Sequence, residues 1–358
     1  MARKGESVTS SIGASINGLS PSSIFPIFVK FITFAAKILD ISLLMNTGPL
    51  SSFSPSMRLL FVVMLVIVCY LIFFLGGIFL AIPLFHVNLV SDFSILTNFN
   101  DPRSIVLMKY FQVLQSVAIF IAPALLAGWF FEGNPGSFLK ANRSSSFMIF
   151  LCAFLVILTC LPLINELGTL NEKMKLPAGL GGFEQWMKDM EDEAGQITDA
   201  FMNTTTAGGF LFNLFMIAIL PALGEEMFFR GVLQKLLGDW FRNRHIAIFV
   251  TALIFAGVHL QFYGFLPRFF LGLMLGYLFF WSGSLWVPIL AHFINNSSAV
   301  FVDFLNRNGL ITTKYEDFGN TDNAFLIIGS IVVTGLLFYF IYRKRKIEPV
   351  SPVHDFPY

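Results

Sequence analysis

Apolar stretches long enough to cross a bilayer recur along this 358-residue chain, and they constrain its fold more than any other feature. An α-helix rises 1.5 Å per residue, so about 20 mostly apolar residues cover a hydrocarbon core of about 30 Å. Eight segments approach that requirement: 59–83, 105–130, 147–164, 207–223, 246–263, 266–281, 285–303 and 324–342. The composition agrees. Hydrophobic residues make up 56% of the chain and charged residues 13%, against roughly 25% charge in soluble domains. The reading is an all-α polytopic membrane protein, about eight transmembrane helices in a single bundle with a polar intramembrane cavity.

Charge placement orients the bundle. The basic run Arg343-Lys344-Arg345-Lys346 follows the last segment and marks a cytoplasmic end. With an even number of crossings the N-terminus shares that side, which suits Arg3, Lys4, Lys30, Lys37 and Arg58. The 224–245 connection then lies inside with Arg230, Lys235, Arg242 and Arg244. The 165–206 connection lies outside with eight acids against three lysines. Within it, 183–202 has the pattern of an amphipathic helix with Phe183, Trp186, Met190 and Ile197 on one side and its acids on a solvated face. Residues 24–44, an apolar helix pattern interrupted by Lys30, Lys37 and Asp40, read as an interfacial helix lying on the membrane. Four regions follow: an N-terminal cytoplasmic segment (1–57), three helices and the long outer loop (58–206), a central core (207–303), and a last loop, helix and basic tail (304–358). The expected location is a bacterial inner membrane with both termini cytoplasmic.

Several classes drop out. The net charge is +1 and no basic cluster is interleaved with aromatics, so nucleic acid is not an expected partner. Cys69, Cys152 and Cys160 all fall in apolar stretches and no CxxC occurs, so they read as small core residues. A polar Ser/Gly-rich stretch follows Arg3 and Lys4 where a cleaved signal peptide would have its apolar region.

Three polar clusters interrupt the apolar pattern: Glu225-Glu226-Met-Phe-Phe-Arg230, Phe255-Ala-Gly-Val-His259 and His292-Phe-Ile-Asn-Asn296. An ionisable group at membrane depth costs at least about 2.5–3.5 kcal/mol, and such groups are usually functional and paired. Glu226 and Arg230 stand four apart, one helical turn, and form a favourable pair. They support the site or staple the helix. Glu225 points about 100° away, a free carboxylate suited to general-base work in apolar surroundings. His259 is expected in the interior of the fifth segment, with Phe255 one turn before it to orient the ring. His292 and Asn296, also four apart, offer two donors that can bracket one oxygen, the arrangement of an oxyanion hole. The chemistry that fits is attack on a carbonyl by water activated by Glu225 and His259, with the oxyanion held by His292 and Asn296. Glu225, His259 and His292 can also ligate Zn²⁺. No HExxH occurs, and a metal-free glutamate mechanism fits the sequence equally.

EExxxR, FxxxH and HxxxN in this order on successive membrane segments resemble the CPBP family of intramembrane proteases, the group of type II CAAX-prenyl endopeptidases and bacteriocin-processing or self-immunity (Abi) proteins. The resemblance covers about 207–303. It implies an eight-helix bundle with a cavity open to the cytosol, in which Glu225 and His259 activate water, His292 and Asn296 form the oxyanion hole, and Glu226 and Arg230 support them. Family members have been described both as metalloproteases and as metal-independent glutamate peptidases. The implied partner is a peptide or protein substrate, membrane-anchored, CAAX-like, lipid-modified or of bacteriocin type. Two other classes compete: a non-catalytic immunity or scaffold protein of the same fold, and a proton-coupled transporter. The first would keep the fold without cleavage. The second would spread polar residues along several helices, whereas here they cluster at one level. No internal repeat of the transporter kind is present.

Overall fold

The computed structural model describes residues 48–345, apart from residues 88, 90–94, 96, 97, 99 and 100. The interfacial helix expected at 24–44 and the tail 347–358 lie outside the described residues. Every regular element among the described residues is helical. We number the main helices α1 (Pro55–Phe85), α2 (Pro102–Glu132), α3 (Phe147–Glu172), α4 (Gly181–Met202), α5 (Ala207–Phe241), α6 (Arg244–Gly257), α7 (Phe265–Ser282), α8 (Trp286–Arg307) and α9 (Ala324–Arg343).

Local chemistry sets the helix starts. The Ser54 hydroxyl accepts from Met57 N–H (3.4 Å) ahead of Pro55, and Asp101 accepts from Arg103 N–H (2.9 Å) ahead of Pro102. Asn243 Oδ1 accepts from both His245 N–H (2.9 Å) and Ile246 N–H (3.2 Å) at the start of α6. Each side-chain oxygen satisfies N–H groups that a helix start leaves orphaned, and proline loses nothing there because its missing N–H is one of them. Gly133 (φ 71°) and Gly283 (φ 65°) end α2 and α7 in the left-handed conformation.

Helices occupy all eight positions expected from the sequence. Among the described residues six are long and apolar enough to cross a membrane: α1, α2, α3, α5, α7 with the turn before it, and α9. α6 has only 14 residues, about 21 Å of rise. α8 is long enough, but His292, Asn295, Asn296, Ser297 and Ser298 dilute its apolar character. The protein is therefore an all-α polytopic membrane protein. α1 and α9 leave most of their apolar surface exposed, as lipid-facing helices do.

Two buried apolar clusters flank the middle of the bundle. One joins Ile149, Val156 and Ile157 of α3 to Leu271, Leu275 and Leu278 of α7, with Ala291 of α8 and Ile341 of α9. Cys152 and Cys160 sit in this cluster as unpaired core residues. The other joins Val62, Ala127 and Phe131 of α1 and α2 to Val232 and Leu236 of α5. α6 and α7 pack as an antiparallel hairpin at close approach: a Cβ on Gly272 would stand 3.1 Å from Cα and Cβ of Ala252. This is the small-residue crossing that Gly272 and Gly276 permit. The amphipathic helix expected at 183–202 is α4, which lies against α2, α8 and the turn between α6 and α7.

Candidate active site

α5 is one continuous helix of 35 residues. Hydropathy alone ends this crossing at residue 223 and assigns 224–245 to a cytoplasmic connection; the helix instead runs on through Phe241, and Glu225, Glu226 and Arg230 stand in its interior. The Gly-Glu-Glu and Arg-Gly sequence that suggests a break is tolerated because neighbouring helices take up the polar groups. Two π-helical stretches, Leu214–Ile219 and Met227–Leu233, widen α5 on either side of the glutamates. Such bulges are frequent at functional sites. Between them stands Pro221, which has no N–H to offer Ile217 C=O four residues back. Asn296 Nδ2 of α8 donates to that carbonyl at 3.1 Å.

Glu226 and Arg230 form the expected pair, and both side chains are fully buried. Arg230 Nη1 donates to Glu226 Oε1 at 2.8 Å. Arg230 Nη2 donates to Gly272 C=O of α7 at 3.1 Å, and the guanidinium lies 4.7 Å over the Phe255 ring of α6. One turn on, Gln234 Nε2 repeats the pattern by donating to Gly276 C=O at 3.2 Å. The glycine spacing on α7 thus presents two backbone carbonyls to two donors one turn apart on α5. Sequence reasoning missed Gln234, though its place one turn beyond Arg230 is a usable signal.

Glu226 does more than pair with Arg230. Its Oε1 also lies 2.9 Å from His292 Nδ1. An ionised carboxylate only accepts, so Nδ1 carries the proton. The other ring nitrogen, Nε2, faces Glu225 with Oε2 at 4.0 Å. Glu225 Oε2 is buried and makes no hydrogen bond with the described residues. His292 therefore sits between the two carboxylates, one holding its ring and the other opposite its free nitrogen.

His259 is not in the interior of a helix. α6 ends at Gly257, and His259 stands in the following turn, beside Leu260 in the left-handed conformation (φ 53°). The helix stops because tertiary partners capture the backbone of the next residues. Asn171 of α3 donates to Phe262 C=O (2.9 Å) and accepts from Leu266 N–H (2.7 Å). Arg268 of α7 donates to the side-chain oxygen of Gln261. His259 Nδ1–H donates to Phe255 C=O at 2.7 Å, and the two rings meet edge to face at 5.1 Å. Phe255 orients the imidazole as expected, with its carbonyl as well as its ring, and Nε2 remains as the acceptor. His259, His292 and Arg230 all contact the Phe255 ring. Glu225 is within electrostatic range of His259 and of Arg268.

Asn296, expected to join His292 on one oxygen, gives one amide hydrogen to Ile217 C=O, and its Oδ1 accepts from Asn295 Nδ2 at 3.0 Å. The carbonyl that it takes lies four residues before Pro221 on α5, a relation invisible to spacing along α8. Asn213 of α5 accepts from Lys109 of α2 at 3.0 Å, an interhelical bond. Nor do Glu225, His259 and His292 make a metal centre: among the described residues no group of three His, Cys, Asp or Glu side chains could hold an ion.

Residues 207–298 match the family model described as type II CAAX prenyl endopeptidase Rce1-like. An uncharacterized protein of Bacillus subtilis (strain 168), YpbD, is 35% identical over 86 residues, 23% of this chain and 41% of that protein. The membrane-embedded CAAX protease MroQ of Staphylococcus aureus (strain USA300) is 32% identical over 103 residues, 27% of this chain and 41% of that protein. The chain thus spans about two fifths of the length of these curated relatives. No solved structure gives a significant match.

Proposed function

We propose that this chain, whose segment 207–298 matches the Rce1-like model, is an intramembrane endopeptidase of the CPBP family working with protein groups alone. One observation carries the reading. Two carboxylates and two imidazoles converge among the membrane helices, with one carboxylate and both Nδ1 atoms tied down and Glu225 and the two Nε2 atoms left for chemistry. Glu226 and Arg230 neutralise one another and fix His292; Phe255 C=O fixes His259.

In this reading a water lies between Glu225 and His259 Nε2. Glu225 takes its proton as the oxygen attacks the peptide carbonyl, and His259 Nε2 accepts a hydrogen bond from the second water hydrogen, which stays on the new carboxyl group. His292, held by Glu226 through Nδ1–H, turns its Nε2 side to the oxyanion and serves as donor there when that nitrogen also carries a proton. Glu225 then returns the proton to the leaving amine, which closes the proton balance. Preorganised donors aimed at the developing charge are worth most in a site that excludes water. Asn296 acts by position: it holds α8 to the Ile217 carbonyl, four residues before Pro221. The substrate class is a peptide presented at the membrane, CAAX-like, lipid-modified or of bacteriocin type. The location that fits is a bacterial inner membrane with both termini cytoplasmic, since six and eight crossings alike return the chain to the starting side.

The test is cleavage of a peptide library by the protein in nanodiscs, wild type against Glu225→Gln. General-base loss lowers rates by about 10²–10⁴-fold, so kcat/KM falls by that order while the melting midpoint holds. Equal cleavage by both proteins would overturn the proposal.

A further inference from the structure

α4 is bound at both ends to the elements that carry the candidate site. Near its start Phe183 and Trp186 pack on Phe262, with ring centroids 6.1 and 5.3 Å apart. In its middle Glu191 Oε2 accepts from Tyr263 N–H at 3.1 Å. At its far end Arg307 of α8 donates to Asp199 and, at 3.2 Å, to Asn203 just beyond the helix. Its acids are therefore not all a solvated face: Glu191 and Asp199 are spent on tertiary bonds.

The Glu191 bond stands out because of where it lands. Tyr263 is four residues after His259, in the turn that replaces the end of α6. A turn at this depth cannot leave backbone N–H groups to water at no cost. Its backbone groups are taken by Asn171 (Phe262 C=O and Leu266 N–H), Arg268 (Gln261 C=O) and Glu191 (Tyr263 N–H), from three different helices. The carboxylate of Glu191 is also within electrostatic range of Arg268, the cation that grips Gln261 two residues after His259. Glu191 thus holds the turn directly through Tyr263 and faces the cation that holds it from the other side.

We propose that Glu191 is a positioning residue for the reaction, acting through the 258–264 turn to hold His259 opposite Glu225. The assignment rests on the protease reading above. Glu191 touches neither substrate nor water. Its loss lets the turn drift and moves Nε2 of His259 out of line, and a displacement of about 1 Å can cost about 100-fold in rate.

The experiment compares Glu191→Ala, Glu191→Gln, Glu193→Ala and Glu225→Gln in nanodiscs, with peptide cleavage and hydrogen exchange of the 258–266 backbone as readouts. Gln keeps an acceptor oxygen for Tyr263 N–H, and Glu193 is an exposed neighbour. Glu191→Ala should lower kcat by about 10–100-fold at unchanged KM and speed exchange at Tyr263. Glu191→Gln should restore protection and most of kcat, and Glu193→Ala should match wild type. Wild-type kcat and exchange in Glu191→Ala, with Glu225→Gln inactive, would overturn the positioning role and leave the protease reading intact. Full activity in Glu225→Gln would overturn the protease reading. Should Glu191→Ala fail to fold, Glu191→Gln against Glu191→Leu at matched melting midpoints gives the same decision.

Discussion

α5 carries Glu225, Glu226 and Arg230 within one continuous helix, whereas His259 stands on a turn of a few residues held by α3, α4 and α7. In the first case the carrier is self-supporting: backbone bonds run along it, and side chains reach outward to fix their neighbours. In the second the carrier has few backbone bonds of its own, Leu260 N–H to Gly257 C=O among them, and its neighbours reach inward to fix it. The two halves of the site should therefore fail differently. Damage to the helix half leaves charge unpaired at depth and threatens the fold. Damage to the turn half leaves the fold standing and misplaces one imidazole.

The sharpest way to break the contrast is at Arg230. Arg230→Ala strands the Glu226 carboxylate with only His292 beside it, and breaking a buried pair costs about 3–5 kcal/mol. Thermal unfolding in detergent should show that loss. Glu226→Leu with Arg230→Met should recover much of the stability but no cleavage, because His292 loses the carboxylate that orients it. A double variant as active as wild type would show that Glu226 has no part in the chemistry.

On the turn side, Asn171→Ala removes two hydrogen bonds, at roughly 1 kcal/mol net each. The expected result is a drop of about 2 kcal/mol, faster amide exchange at Leu266, and a fall in kcat larger than the stability change alone explains. Unchanged exchange at Leu266 would mean that the turn is held by its own conformation.

The smallest effect joins the two halves' logic at the Pro221 break. Asn296→Ala should cost about 1–2 kcal/mol by removing its bond to Ile217 C=O. In a Pro221→Ala background the restored N–H at 221 supplies that carbonyl, and the same substitution should cost less, with a coupling of about 1 kcal/mol in the double-mutant cycle. Additive effects would mean that Asn296 does not stand in for the N–H that Pro221 lacks.

The contrast also explains what can be read in advance. The helices, their order and the Glu226–Arg230 pair follow from periodicity, which acts over a few residues and is written in the chain. The convergence of the three polar clusters is legible for the same reason, since charge at depth must find partners. The end of α6 is not, because Asn171, Glu191 and Arg268 decide it from 86, 66 and 11 residues away along the chain. The engagement of Asn296 is equally hidden, since it lands on a carbonyl of another helix. Helical spacing makes Glu226 a partner of Arg230 alone; that His292 shares it is a fact of how α8 packs on α5.

The brevity of α6 has one more consequence. At about 21 Å of rise against a hydrocarbon core of about 30 Å, α6 is too short to cross alone, although its partner α7 with the turn before it is long enough. Lipids around such a short element must thin or tilt to meet it. Acyl-chain length is then an expected input to the site, because the His259 turn is tied to the end of this short helix; cleavage compared in bilayers of different thickness would show it.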